Sequence, residues 1–315
     1  MILEIQHETR LEYTQAVIES MAELRMEPAS GAEQSCHSFH LAISPTAEQF
    51  RFQDGFGNRV HHFNILAPHT QVHILAASIV ETLPRPRPLA ASQALYPLAA
   101  EQIDLDALNY LSLRGPVSPT ERLTPLLEKL RPPAGRRLAQ FVAEVAEFIP
   151  NHFEYAKDVT LATSPIDHLL ERGKGVCQDF THLMIALLRA HGVPARYVSG
   201  YIHRPGQESQ SHAWCEVWLP DLDWLGMDPT NNRPADENFV KVAVGRDFSD
   251  VPPNKGVYRG RAQESILVRV ETRELERLPS LSWQEQLPPL QVPLTAILPR
   301  GRRPTGDEED AAQQQ

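Results

Sequence analysis

The chain has 315 residues, of which 42% are apolar and 22% are charged, and it carries a formal net charge of −10. This length and composition predict a globular protein of roughly two domains, and they exclude a fibre or a largely disordered chain. The acidic balance also excludes a nucleic-acid-binding protein, because such a protein needs a basic surface that neutralises phosphates.

The first part of the chain predicts a small antiparallel β domain. Apolar and polar residues alternate over positions 3–13, and this period of two is typical of a half-buried strand. The glycine-rich stretch 54–58 predicts a hairpin turn. We therefore assign residues 1–83 to an N-terminal β domain. Its further strands are predicted at residues 39–43, 50–52, 60–65 and 72–80.

A proline-rich segment follows this domain. Prolines alternate with arginines from Pro84 to Pro88, and this pattern is typical of a stiff, extended connector. We place the linker and connector at residues 84–116 and a second domain at residues 117–297. Residues 298–315 are rich in proline, charge and glutamine, so we expect a disordered acidic tail that buries no apolar surface.

The second domain begins with helices. Residues 118–121 have the sequence Ser-Pro-Thr-Glu, a capping box that predicts a helix running to Leu130. Apolar stripes with a period near 3.6, bounded by prolines and glycines, predict three more helices. These lie at residues 138–149, where Pro150 ends the helix, at residues 164–173, and from Cys177 to the glycine cap at 191–192.

The hydrophobic period then changes to two, which predicts an antiparallel sheet. Strands are predicted at residues 196–202, 213–219, 224–227 and 240–244, with a last strand at 266–270. A helix that begins with a cysteine and packs on such a sheet gives an α+β fold class for the second domain.

Cys177 is a candidate nucleophile because of what surrounds it in the sequence. Gly173 and Gly175 precede it, and the residues after it predict a helix. Flexible backbone leaves room for a substrate, and the partial positive charge at a helix N-terminus stabilises a thiolate, the reactive form of cysteine. The alternative is that Cys177 is a small apolar core residue, which is what most free cysteines are.

A thiol nucleophile needs a base and a residue that orients the base. His212 lies at the start of one predicted strand, and Asp228 lies at the end of the next. A tight turn at residues 219–223 joins the two strands and would bring these side chains together. Alone, each has an ordinary explanation as a surface histidine or a turn aspartate. Together with Cys177 they predict a catalytic set.

A zinc site is the competing interpretation. His212 and Cys215 are separated by two residues, as in many zinc sites, and Cys177 would add a third ligand. Positions three apart on a strand face opposite sides, however, and a fourth ligand is not evident. The acidic residues 307–310 lack the spacing of a calcium loop. We therefore predict neither a metal nor another cofactor.

Four motifs follow one another in the second domain. They are Gly175-Val176-Cys177-Gln178-Asp179-Phe180, residues 192–201, Ser211-His212-Ala213-Trp214-Cys215-Glu216-Val217 and Met227-Asp228-Pro229-Thr230. In this order they resemble the core of the bacterial transglutaminase-like family. The stretch 54–58 is also similar to the β domain that often precedes this core, and residues 245–253 resemble the segment that follows it.

The resemblance implies a papain-like fold and cysteine acyl transfer on amides of a peptide or protein substrate. Cys177 would be the nucleophile, His212 the general base and acid, and Asp228 the residue that holds the imidazole. An amine acceptor would give transamidation, whereas water would give deamidation or proteolysis. The alternatives are a cysteine protease or amidase, and a non-catalytic binding scaffold that retains the fold.

Two aromatic residues are further candidates for substrate binding. Tyr155 precedes the core and is a candidate second donor to the oxyanion, beside the backbone N–H of Cys177. Trp214 shares a strand face with Trp218, and the pair would line an acyl-binding groove. The alternative interpretations are a core aromatic for Tyr155 and packing against the central helix for the tryptophans.

The cysteine content and the N-terminus bear on the compartment. The three cysteines, Cys36, Cys177 and Cys215, do not make a disulfide framework and are typical of a reducing environment. The first residues lack the basic and apolar regions of a secretory signal, and no apolar run is long enough to span a bilayer. The sequence therefore predicts a cytoplasmic protein that does not interact with membranes.

Overall fold

The computed structural model of the chain describes residues 1–84, 87–156, 164–206 and 210–279. The predicted acidic tail at 298–315 and residues 280–297 of the predicted second domain lie outside them. The α+β fold class is confirmed, since an antiparallel N-terminal region is followed by helices and a second antiparallel sheet. Within the described residues, no helix combines the length and the apolar character that a membrane span requires.

The N-terminal region is built around one long strand, β1. Its buried side chains are at odd positions up to Tyr13 and at even positions from Ser20 to Leu24. The change occurs at an irregularity that includes Glu19, whose φ is 54°. Because a one-residue shift moves side chains to the other face, the two halves of β1 can serve two sheets. The strands here are β1 (Ile2–Leu24), β2 (Gln34–Ser44), β3 (Gln49–Gln53), β4 (Arg59–Ile65) and β5 (His69–Thr82).

The predicted connector is folded against the second domain. Tyr110 and Val117 are buried, and the guanidinium of Arg189 donates to the carbonyl of Ser112 at 2.7 Å. Residues 89–117 therefore form a packed layer of short helical turns. These are the 3₁₀ turns Leu89–Ala91, Ala100–Gln102, Asn109–Leu111 and Gly115–Val117, and the helix α1 (Leu105–Leu108).

Two predicted helix ends differ from the structure because of proline. The first helix of the second domain begins at Thr124 and not at the capping box, and Pro125 lies in its first turn, where the missing N–H costs no helical hydrogen bond. The next helix continues past Pro150 to His152. The helices are α2 (Thr124–Lys129), α3 (Leu138–His152), α4 (Ile166–Arg172) and α5 (Cys177–Ala190).

The central helix α5 packs on a five-stranded antiparallel sheet. All residues of α5 from Asp179 to Arg189 are buried. Ala213, Cys215 and Val217 belong to the same apolar core as the helix. The strands are β6 (Glu154–Tyr155), β7 (Lys174–Gly175), β8 (Ala195–Ile202), β9 (Gln210–Leu219), β10 (Asp223–Asp228), β11 (Arg233–Pro234) and β12 (Phe239–Gly245), and the sheet order is β11-β10-β9-β8-β12.

The last two strands, β13 (Asn254–Arg259) and β14 (Glu264–Leu275), return to the N-terminal region. Strand β14 pairs with residues 2–13 of β1, which pair with β5 on their other side. Strand β13 pairs with the second half of β1, as does β4. The sequence assigns the last strand to the second domain, whereas in the structure β14 pairs with β1. Strand pairing is decided by long-range contacts and not by position in the chain.

The N-terminal sheets and the second domain share one core. Leu3, Ile5 and Val80 pack in the same apolar cluster as α5. His7 of β1 is bonded through Nδ1 to the hydroxyl of Tyr201 in β8 at 2.8 Å. This contact fixes β8, which carries the sheet end where the candidate site lies.

Candidate active site

Cys177 is the first residue of α5, and the glycines before it have specific structural roles. Gly173 ends α4 in the left-handed conformation, with φ 67°. Gly175 lies so close to Asp179 that an added Cβ would come within 2.8 Å of its carboxylate. That carboxylate accepts the N–H of Val176 at 2.8 Å and so satisfies a donor at the helix start. The two glycines thus allow the backbone to turn sharply and pack against Asp179 just before the helix begins at Cys177.

His212 and Asp228 meet at the end of the sheet where α5 begins. Strands β9 and β10 are antiparallel neighbours, with Met227 opposite Cys215. His212 Nε2 lies 2.8 Å from Asp228 Oδ2. A carboxylate only accepts, so Nε2 carries the proton of this hydrogen bond and Nδ1 remains for a second partner. The thiol of Cys177 is close enough to the imidazole to raise the pKa of His212, so the structure brings the three predicted residues together.

Asp228 is completely buried and is held by several donors. Its Oδ1 accepts the N–H of Thr230 at 2.8 Å and that of Asn231 at 3.3 Å. Its Oδ2 accepts from the Asn231 side chain at 2.5 Å in addition to His212. Burial alone would raise the pKa of Asp228, but these hydrogen bonds hold it below its usual value. The carboxylate therefore stays ionised beside the imidazole.

These contacts determine the charge of His212. Burial disfavours the imidazolium, yet the hydrogen bond to Asp228 and the nearby Cys177 raise the pKa of His212 from 6.5 to about 9. At neutral pH the ring is protonated. A protonated imidazole next to a cysteine is the arrangement that stabilises a thiolate and supplies a proton to a leaving group.

Trp214 is buried beside His212. It is 2% exposed, and its indole stacks on the imidazole of His212, with ring centroids 6.3 Å apart. Gly200 and Gly226 border the indole, since a Cβ on Gly200 would come within 2.7 Å of it. It packs in a cluster separate from α5 and so does not pack against the central helix. The assignment of Trp214 to substrate binding stays a prediction.

Tyr155 lies at the opening of the site. Its strand β6 pairs with β7, with Tyr155 opposite Gly175, and the side chain is 44% exposed. Its pKa is raised by partial burial and by the charges of Cys177 and Asp228, while Arg204 lowers it. Tyr155 is thus within electrostatic range of the cysteine, as a substrate-contacting residue would be. Its assignment to substrate binding stays a prediction.

Thr230, Asn231 and Arg204 contribute to the site, and the sequence did not identify them. The signal for the first two was present, because an aspartate in a turn commonly accepts the backbone N–H two residues later. Arg204 Nη2 donates to Asn231 Oδ1 at 3.1 Å, a contact between separate loops that no local pattern predicts. In the described part of the chain, no group of three or more His, Cys, Asp or Glu residues is arranged to hold a metal.

Both parts of the chain match models of known protein families. Residues 3–81 match the bacterial transglutaminase-like N-terminal region, and residues 126–229 match the transglutaminase-like superfamily. An uncharacterized protein of Mycobacterium tuberculosis is 32% identical over 281 residues, which cover 84% of this chain and 89% of that protein. A protein of Mycobacterium leprae is 30% identical over 288 residues, or 87% of this chain and 99% of the relative.

Two further proteins carry functional names. The protein-glutamine gamma-glutamyltransferase of Pseudomonas aeruginosa is 28% identical over 182 residues, which cover 52% of this chain and 27% of that protein. A crystal structure from Cytophaga hutchinsonii, described as a candidate cysteine protease, has a TM-score of 0.71 and 22% identity. The match covers 89% of this chain and 93% of that one. This likeness confirms the predicted fold.

Proposed function

Because the chain belongs to the bacterial transglutaminase-like family, we propose that it is a cysteine enzyme that transfers acyl groups from peptide or protein amides through a thioester on Cys177. The observation that carries this proposal is the position of Cys177, at the N-terminus of α5 and beside the imidazole of His212, which the buried Asp228 holds at 2.8 Å. A binding scaffold would not require a buried carboxylate to keep an imidazole charged beside a thiol.

In the first half of the reaction, the thiolate of Cys177 attacks the amide carbonyl carbon. The developing oxyanion lies near the N-terminus of α5, where backbone N–H groups without helical partners stabilise negative charge. The C–N bond then breaks, and the imidazolium of His212 donates its proton to the leaving amine or ammonia. The products are a thioester and a neutral imidazole, which Asp228 keeps in one orientation.

In the second half, the neutral imidazole of His212 accepts a proton from the acceptor as it attacks the thioester. An amine acceptor forms a new amide, whereas water forms a carboxylic acid. Either route releases the thiolate and leaves His212 as the imidazolium, which restores the starting charges. The two relatives with functional names differ at this step, one being named a transferase and the other a protease. The experiment therefore measures both acceptors.

The test is to trap the acyl-enzyme with glutamine-containing and other peptides and to measure the intact mass after acid quench. A mass increase equal to the peptide acyl group, mapped to Cys177, supports the proposal. Parallel reactions in H₂¹⁸O and with an isotopically labelled primary amine then separate hydrolysis from transamidation by product mass.

Cys36→Ala serves as the matched control, since this thiol lies in the N-terminal region. We expect Cys36→Ala to retain acylation and Cys177→Ala to lose it while its circular dichroism is unchanged. Acylation that persists in Cys177→Ala would overturn the mechanism. A well-folded protein that forms no acyl-enzyme with any peptide in the library would favour the binding-scaffold alternative.

A further inference from the structure

Arg204 lies at the same sheet end as the candidate site. It follows β8 by two residues, at the sheet end where β9 begins and β10 ends. Its guanidinium donates to Asn231 Oδ1 at 3.1 Å, and the amide nitrogen of Asn231 in turn donates to Asp228. One side chain thus separates the guanidinium from the carboxylate that orients His212.

The charge of Arg204 has no carboxylate partner among the described residues. Arg233 is different: it lies opposite Asp228 at the same sheet end, and it is paired with Asp236. The only described hydrogen-bond partner of Arg204 is the neutral amide of Asn231, which uses one of five N–H donors. Arginine presents two parallel donors that fit a planar carboxylate, and such charge-assisted bonds are about twice as strong as neutral ones.

The guanidinium of Arg204 and the thiol of Cys177 are linked through Tyr155. The half-exposed ring of Tyr155 is within range of the charges of both Arg204 and Cys177. A substrate lying over Tyr155 to reach Cys177 would therefore pass close to an arginine with donors to spare. The net charge of the protein is −10, so a local cation here is what would allow an acidic substrate to approach.

We propose that Arg204 is a specificity-determining residue that binds a carboxylate of the substrate, so that the enzyme prefers peptides carrying a carboxylate a few bonds from the amide attacked by Cys177. This inference rests on the proposed function of Cys177. It assigns the substrate class as acidic peptides or peptides with a nearby free C-terminus.

The test uses alkylation of Cys177 and so does not depend on knowing the substrate. Bromoacetyl-glycine, bromoacetyl-β-alanine and bromoacetyl-4-aminobutyrate carry one electrophile and place a carboxylate at increasing distance from it. The carboxamide of each reagent is its neutral match. The second-order rate constant at Cys177, obtained by peptide mapping, gives an acid-to-amide ratio for each length.

We expect the ratio to exceed one most strongly at one length and to fall about tenfold at that length in Arg204→Gln, which corresponds to about 1.4 kcal/mol. Arg204→Lys should retain part of the preference, because the charge remains while the bidentate geometry is lost. If Arg204 only held Asn231 in place, the variant would change the acid and amide rates together and leave the ratio constant.

Lys174→Gln is the matched control for the electrostatic field. Lys174 is three residues from Cys177, and its charge is already paired with Glu154 at 2.8 Å. An equal fall of the acid-to-amide ratio in Lys174→Gln would overturn the inference in favour of a general field effect. Acid-to-amide ratios unchanged within twofold in Arg204→Gln would also overturn it. Cys177 that reacts with none of the reagents would overturn the proposed function as well, whereas fast alkylation without acid preference would overturn this inference alone.

Discussion

Replacing Asp228 with asparagine removes the charge that keeps His212 protonated while preserving the shape of the side chain. The rise of the His212 pKa from 6.5 to about 9 corresponds to about 3 kcal/mol of preference for the imidazolium. Burial opposes this rise, and the hydrogen bond to Asp228 is the first of the contributions that overcome it. We therefore expect the pKa of His212 to fall by about 1–2 pH units in Asp228→Asn.

The direct assay is a titration of the His212 ring by NMR with ¹⁵N-labelled histidine. In the parent protein the ring should titrate near pH 9, and turnover should decline above that pH as the general acid is lost. In Asp228→Asn the alkaline limb should move to lower pH, and turnover should fall about 10²–10⁴-fold, as expected when an imidazole loses its orienting carboxylate.

The same substitution changes how stability depends on pH. A histidine whose pKa is higher in the folded state contributes stability that is fully present below 6.5 and is lost as pH rises through about 9. This alkaline loss should be smaller in Asp228→Asn. Asp236→Asn is the control, because Asp236 is an exposed carboxylate on the same hairpin, bound by Arg233. A His212 ring that still titrates near pH 9 in Asp228→Asn would refute the reasoning.

Three more predictions concern the thiols, the support of Trp214 and the contact between the two parts of the chain. Iodoacetamide should label Cys177 before the other cysteines, as measured by peptide mapping. Burial raises the pKa of Cys36 to about 11 and raises that of Cys215 further, which leaves both thiols protonated. Equal labelling of all three cysteines would contradict this prediction. Gly200→Ala should lower the melting temperature sharply or prevent folding, since its Cβ would come within 2.1 Å of the Val240 carbonyl, whereas Gly31→Ala meets no atom within 4 Å and should be neutral. A tolerated Gly200→Ala would show that Val240 and the indole can move apart. His7→Asn should reduce the loss of unfolding free energy between pH 7 and pH 4 by about 2–3 kcal/mol. The reason is that burial lowers the pKa of His7 from 6.5 to about 4, so stability is lost as pH falls through this range. Denaturant titrations at the two pH values measure this loss, and an equal loss in both proteins would exclude His7 as its source.

The sequence by itself determined the order of the elements around Cys177 and was enough to propose its chemistry. Helix and strand periods, the glycines before Cys177 and the turn between β9 and β10 are local signals, so they predict which residues stand at element ends. Those signals were enough to place His212 and Asp228 on neighbouring strands.

Only the tertiary structure decided which surfaces meet. The period of β9 puts Trp214 on one face, but the contacts of the whole sheet decide that Cys215 faces α5 while the indole lies against His212. Likewise, the sequence alone assigns β14 to the second domain, and only the fold shows that it pairs with β1. The bond from Arg204 to Asn231 joins loops 27 residues apart. Such contacts depend on long-range packing. Its energy is shared among many residues, so no short stretch of sequence predicts these contacts.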